Sequence, residues 1–230
     1  MVLAWGDNQL GQLGDGTNVT RLVPTQVSGL AGVTAIAAGG AHSLALRSDG
    51  TVMAWGDNQL GQLGDGTNVT RLVPSQVSGV TGVTAIAAGG AYSLALGGGG
   101  IVLAWGDNRF GQLGDGNTFT RNIPGPVSVL TGVTAIEAGA FFSIALRSDG
   151  ILLTWGDNQV GQLGDATNFT RLLPGPVVGL TGMTAVTGGG AFAIALKSDG
   201  TVSAWGDNRF GQLGDGSNVT RSIPRPVSGF

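Results

Sequence analysis

A repeat of strict period constrains this chain more than any other feature. Trp-Gly-Asp-Asn begins at Trp5, Trp55, Trp105, Trp155 and Trp205, fifty residues apart each time. Gly-Gln-Leu-Gly-Asp follows at Gly11, Gly61, Gly111, Gly161 and Gly211. An Arg stands six residues beyond each of those Asp residues, at Arg21, Arg71, Arg121, Arg171 and Arg221. Residues 4–24 and 54–74 are identical, a mark of recent duplication within the gene. A unit of this size cannot bury its own apolar face, so neighbouring copies must stack to make a core.

Within one unit the pattern is that of short strands. Val33-Thr34-Ala35-Ile36-Ala37-Ala38 is a run of small and β-branched residues that reads as a first strand, broken by Gly39-Gly40. Ser43-Leu44-Ala45-Leu46 alternates into a second, Ser48-Asp49-Gly50 is a hairpin turn, and Thr51-Val52-Met53-Ala54-Trp55 is a third. A long loop over residues 56–72 leads to Pro74-Ser75-Gln76-Val77, a short fourth strand whose Pro fits an outer edge, where a missing N–H breaks no ladder. The small residues of the first strand suit a crowded central axis, while Leu, Val and Trp suit the wider space between sheets. A helical repeat needs a 3.6-residue apolar period, which is absent.

Composition agrees and narrows the functional classes. Glycine is abundant (44 of 230 residues), yet 42% of the chain is hydrophobic and the apolar residues lie in ordered runs, which argues for a packed domain over low complexity. The net charge of −3 gives no basic footprint for nucleic acid. The chain has no Cys, so thiolate and disulfide chemistry are excluded. The first residues show neither a basic nor an apolar leader region, and the apolar runs are too short to cross a membrane; a soluble protein is expected, its compartment open.

Residues 33–46 (VTAIAAGGAHSLAL), 48–50 and 54–64 (AWGDNQLGQLG) closely resemble the regulator of chromosome condensation repeat, and the resemblance extends over the whole chain in five copies. It implies an all-β fold, a β-propeller of four-stranded blades about fifty residues long, usually about seven to a ring. Residues 31–80, 81–130, 131–180 and 181–230 then form four complete blades and residues 1–30 an outer half-blade. Three outcomes are open for such an array: a piece of a larger ring, an open arc completed by self-association through its blade edges, or a strained small ring.

The recurring polar residues read first as architecture. Asp7, Asn8 and Asp15 sit in Gly-rich loops where Asx side chains bond backbone, with Arg21 as a neighbour; calcium binding is the lesser reading because the spacing of a calcium loop is missing. Asn-x-Thr at Asn18, Asn68, Asn168 and Asn218 is read as loop structure. His42 is the only histidine and its counterparts are Tyr92, Phe142 and Phe192, so no triad, transition-metal site or acid–base pair can be assembled; a non-enzymatic protein without cofactor is expected.

Positions that vary between units are the candidates for recognition. The turn after the first strand reads Ala41-His42, Ala91-Tyr92, Phe141-Phe142 and Ala191-Phe192. The loop after Trp-Gly-Asp-Asn reads Gln9-Leu10, Gln59-Leu60, Arg109-Phe110, Gln159-Val160 and Arg209-Phe210. Arg and aromatics are enriched at binding hot spots, so Leu10, His42, Tyr92, Arg109, Phe110, Phe141, Phe142, Phe192, Arg209 and Phe210 form the candidate partner-binding set, with aromatic packing between blades as the competing reading. The expected activity is a scaffold or binding module for a protein partner. The resemblance also implies nucleotide exchange on a Ran-like GTPase as one alternative; a self-assembling structural role is another.

Overall fold

The computed structural model describes residues 1–229, and these form five antiparallel sheets in chain order. The first has two strands, β1 (Leu3–Gly6) and β2 (Arg21–Gln26). The second has four, β3 (Val33–Ala38), β4 (His42–Arg47), β5 (Val52–Gly56) and β6 (Arg71–Gln76), each paired only with its sequence neighbours. The same meander recurs as β7–β10 (residues 83–126), β11–β14 (residues 133–176) and β15–β18 (residues 183–226). The chain is therefore a β-propeller arc of four full blades and one outer half-blade. Blades here meet by packing, not by strand pairing: each core cluster joins consecutive sheets, and none joins the last sheet to the first or second among the described residues, so the arc is open.

Two boundaries differ from the sequence reading. The second strand starts at His42, because Gly56 rather than Trp55 ends its partner and His42 pairs with it. The outer strand starts at Arg71, ahead of Pro74, because Arg71 pairs with Gly56 across a bulge that absorbs the residues between.

The core lies between blades. Leu44, Leu46, Val52 and Ala54 of the first full blade pack with Val83, Ala95 and Trp105 of the next. Tyr92, Leu94, Leu96 and Val102 likewise meet Ile136, Ala145 and Trp155, and Phe142, Ile144 and Leu152 meet Met183, Ala195 and Trp205. Each buried Trp also carries a polar lock, because an indole N–H taken out of water needs an acceptor. Trp55, Trp105, Trp155 and Trp205 donate at 2.9 Å to the carbonyls of Gln12, Gln62, Gln112 and Gln162 in the preceding unit. Gly14 makes room for this: its φ is +67°, and a Cβ there would lie 2.7 Å from the Trp55 indole nitrogen. Trp5 is 61% exposed.

A third inter-blade stitch runs around the axis, where Gly90, Ala140 and Gly190 accept hydrogen bonds from the N–H groups of Gly40, Gly90 and Ala140 at 2.9–3.1 Å. These turns and the long loops leave from the same ends of the strands. Together they make one face of the arc, and the β4–β5-type hairpins lie on the other.

Candidate loop-face binding site

The long loop that dominates this face follows one plan in every unit, although in the third Arg121 turns to the Ala104 and Gly125 carbonyls and leaves its Nε without a partner. Asn8 is fully buried; its amide donates to Asp15 Oδ1 (3.1 Å) and the Thr17 carbonyl (3.0 Å), and its Oδ1 accepts from the Leu13 N–H (2.9 Å). Arg21 Nε closes the network on Asp15 Oδ2 at 2.6 Å. Burial opposes ionisation of Asp15, but hydrogen bonds from Thr17 and Arg21 outweigh it and hold the carboxyl at about 2. The Asp oxygens are thus spent on the loop's own backbone and Arg, which fits the architectural reading. Asn68 and Asn168 of Asn-x-Thr donate to the carbonyls of Gln59 and Gln159 at 3.1 Å.

A second network sits closer to the axis. Asp57 takes Gln62 Nε2 on one oxygen (2.9 Å) and the Gln59 N–H on the other (3.2 Å). The third unit rewires this: Arg109 binds Asp107 through two hydrogen bonds of 2.9 and 3.0 Å. Gln112 Nε2, its partner of the other units removed, is buried without a hydrogen-bond partner. Arg209 and Asp207 repeat the bidentate pair.

The candidate residues divide sharply. His42, Tyr92 and Phe142 are buried between blades, and this corrects their assignment to a partner surface: a partner cannot reach side chains that the next blade covers. Phe192 occupies the same position and is half-buried. Arg109, Phe110, Phe141, Arg209, Phe210 and Leu10 are on the loop face, Leu10 half-buried and Phe210 90% exposed. Phe110 and Phe141 come from adjacent blades and meet with ring centroids 5.3 Å apart, tilted by 54°. The Asp157 N–H donates to the Phe141 carbonyl (2.9 Å), tying the next loop to this pair. Where the loop position is Leu or Val, the facing turn position is Ala; Phe110 faces Phe141, so the two vary together across one blade junction.

Two features escaped the sequence reading. Phe119 and Phe169, at the variable place of the Asn-x-Thr stretch and its counterpart, are 76% and 80% exposed at the outer end of the same loops. Every strongly exposed Phe among the described residues thus belongs to this face. The junctions also carry individual polar keys. His42 Nε2 lies 2.9 Å from Ser93 Oγ, Ser143 Oγ donates to Tyr92 Oη at 3.0 Å, and Tyr92 Oη donates to the Phe142 carbonyl. At the next junction Phe142 faces a unit with Ala193 where the others have Ser, so no hydroxyl is left to satisfy. The pairing of a polar ring with Ser and of Phe with Ala was the available signal.

The regulator of chromosome condensation (RCC1) repeat profile matches residues 1–46, 49–96, 99–146, 149–196 and 199–230, and a second profile of the same repeat matches residues 33–62, 83–112, 133–162 and 183–212. Among solved structures, human WBSCR16 superposes with a TM-score of 0.87 at 25% identity, covering 98% of this chain and 62% of that one. Yeast RCC1 (Prp20) bound to Kap60 gives 0.85 at 25% identity, over 98% and 57%. Prp20p from Saccharomyces cerevisiae, described with its binding properties to Gsp1p and histones, gives 0.83 at 26% identity, over 98% and 58%. This chain spans about three fifths of the length of these structures. No curated protein matches its sequence.

Proposed function

The chain belongs to the regulator of chromosome condensation repeat family, and from that premise we propose that it is a non-enzymatic scaffold that binds a protein partner through its loop face, centred on Phe110 and Phe141. One observation carries this reading. Two large aromatic side chains from different blades meet at the surface, Phe110 half-buried and Phe141 37% exposed, and among the described residues they do so only at this junction. Solvent-facing aromatic clusters mark interaction sites on folded proteins. Arg109 beside them is held by Asp107 in a fixed fork, so it is pre-ordered for contact.

Prp20p is described as binding Gsp1p and histones, which keeps two readings in view: a passive scaffold and a factor that speeds nucleotide release from a small GTPase. The test is selection of a random peptide display library on the chain, with counter-selection on the Phe110→Ala/Phe141→Ala double variant. Peptides that bind the parent with micromolar affinity and the variant at least tenfold more weakly support the loop face. Peptides that bind both equally, or none at all, defeat it. Added GTPase whose nucleotide release quickens in the presence of the chain replaces the passive scaffold with exchange.

A further inference from the structure

We infer that the partner segment taken by the loop face is basic, an arginine-bearing stretch of polypeptide with apolar residues interleaved; this rests on the loop-face reading above. The charges of the chain divide unevenly over the fold. At the outer rim each Asp15-type carboxylate is matched by the Arg of its own unit, in five ion pairs of 2.6–3.4 Å, so the rim is neutral. On the opposite face Arg147–Asp149 and Lys197–Asp199 pair at 2.7 and 2.8 Å, and Arg47 stands beside Asp49, so the hairpins are neutral too. The loop face has the five Asp residues of Trp-Gly-Asp-Asn together with Glu137, against Arg109 and Arg209 alone. It therefore carries a net of four negative charges, and with Arg225 on the outer edge it accounts for the whole chain's −3.

The unmatched carboxylates flank the aromatic pair. Asp157 belongs to the loop whose N–H is bonded to Phe141, and Asp57 occupies the equivalent place one blade before Asp107. Glu137 stands four residues ahead of Phe141, near the loop-face end of β11, where the first two blades have Ala; it is half-buried with no ion-pair or hydrogen-bond partner among the described residues. A partly desolvated carboxylate without a partner is a standing cost, which an incoming guanidinium relieves. Phe faces at the same end of the blades favour the same cation by stacking. An acidic segment meets repulsion instead.

The chain itself supplies the least disruptive way to cancel the charge. Gln59→Arg/Gln159→Arg copies the Arg109 and Arg209 arrangement of the third and fifth units, placing an Arg on Asp57 and Asp157 without removing a carboxylate. The experiment measures binding of two labelled sixteen-residue peptides, one alternating Arg and Leu and one alternating Glu and Leu, by fluorescence anisotropy at pH 7.5 and 50 mM salt. The Arg peptide is expected to bind the chain and to weaken tenfold or more in Gln59→Arg/Gln159→Arg and in Glu137→Gln/Asp157→Asn. It should weaken again at 300 mM salt, since the screening length shrinks as salt rises, from about 10 Å at 0.1 M to about 3 Å at 1 M. Asp49→Asn/Asp149→Asn/Asp199→Asn on the opposite face should stay within twofold. Equal binding of the two peptides, no loss in the loop-face variants, or equal loss in the opposite-face variant overturns the proposal. The display selection separates the two levels: Phe110-dependent peptides without basic residues refute the basic partner while leaving the loop face standing, and failure to obtain any Phe110-dependent peptide removes both.

Discussion

His42 gives a prediction whose size and sign both follow from the structure. It is the only histidine, it is buried between two blades, its Nδ1 has no partner, and its Nε2 faces Ser93 Oγ at 2.9 Å. Burial pushes its pKa from 6.5 to about 4, against a smaller opposing pull from Asp57. The unfolded chain therefore takes up a proton near pH 6.5 that the folded chain refuses until about pH 4, and stability falls as pH drops through that window. Integrating the difference from pH 7.5 to 5.0 gives a loss of about 2 kcal/mol, equivalent to roughly 4–8 °C in Tm for a domain of this size. The Asp carboxyls with lowered pKa are silent there, because their contributions are lost only as pH falls below about 4. Glu137, raised by burial, acts with the opposite sign, gaining stability as pH falls. The perturbation is His42→Phe. Phe stands at the matching place in a later unit, and Ser93 Oγ keeps its 2.8 Å hydrogen bond to the Gln62 carbonyl. Urea titrations at pH 7.5 and 5.0 should show the parent losing stability and His42→Phe holding it. A parent whose stability is flat over that range, or a variant that falls as steeply, refutes the reasoning.

Val129 holds a left-handed backbone (φ 53°) at a place where the four other units have Gly at φ 69–91°, and it is 79% exposed, so its side chain gains almost nothing by packing. Val129→Gly should raise stability by about 0.5–1 kcal/mol, the relief of a strained β-branched residue less the added freedom of Gly when unfolded; calorimetry showing destabilisation contradicts this. Trp155→Ala removes a fully buried ring and its hydrogen bond to Gln112 and should cost about 3–5 kcal/mol in chemical denaturation, whereas Trp5→Ala in the same motif, already 61% exposed, should cost under about 1 kcal/mol. Phe110→Ala/Phe141→Ala should lower stability by about 2–4 kcal/mol, the pair term plus the partial burial of two rings, while abolishing peptide capture; a loss of about 6–10 kcal/mol, that of two core Phe residues, assigns the pair to packing.

Most of the blade was legible because its physics is local and repeated. Six small residues, a Gly-Gly break, an alternating run and an Asp-Gly turn define strands wherever they occur, and five copies remove ambiguity about register. The Asn8–Asp15–Arg21 network was anticipated as loop bonding for the same reason. What could not be read was which side of a blade each varying residue meets. His42 and Phe141 are one position apart in equivalent turns, yet adjacent strand residues point to opposite faces, so His42 enters the junction and Phe141 stays at the surface. Nor does the sequence show that Phe110 reaches Phe141, since their contact crosses a blade boundary and depends on the angle between sheets. The charge division over the two faces also needed the fold, because it depends on which loops share an end of the strands.

The loop face is the central claim, and hydrogen–deuterium exchange with a saturating display-selected peptide tests it most directly. The account predicts slowed exchange in residues 107–111, 139–142 and 157–161, with residues 47–50, 147–150 and 197–200 on the opposite face unchanged. Protection confined to those hairpins, or to the outer strands, contradicts it.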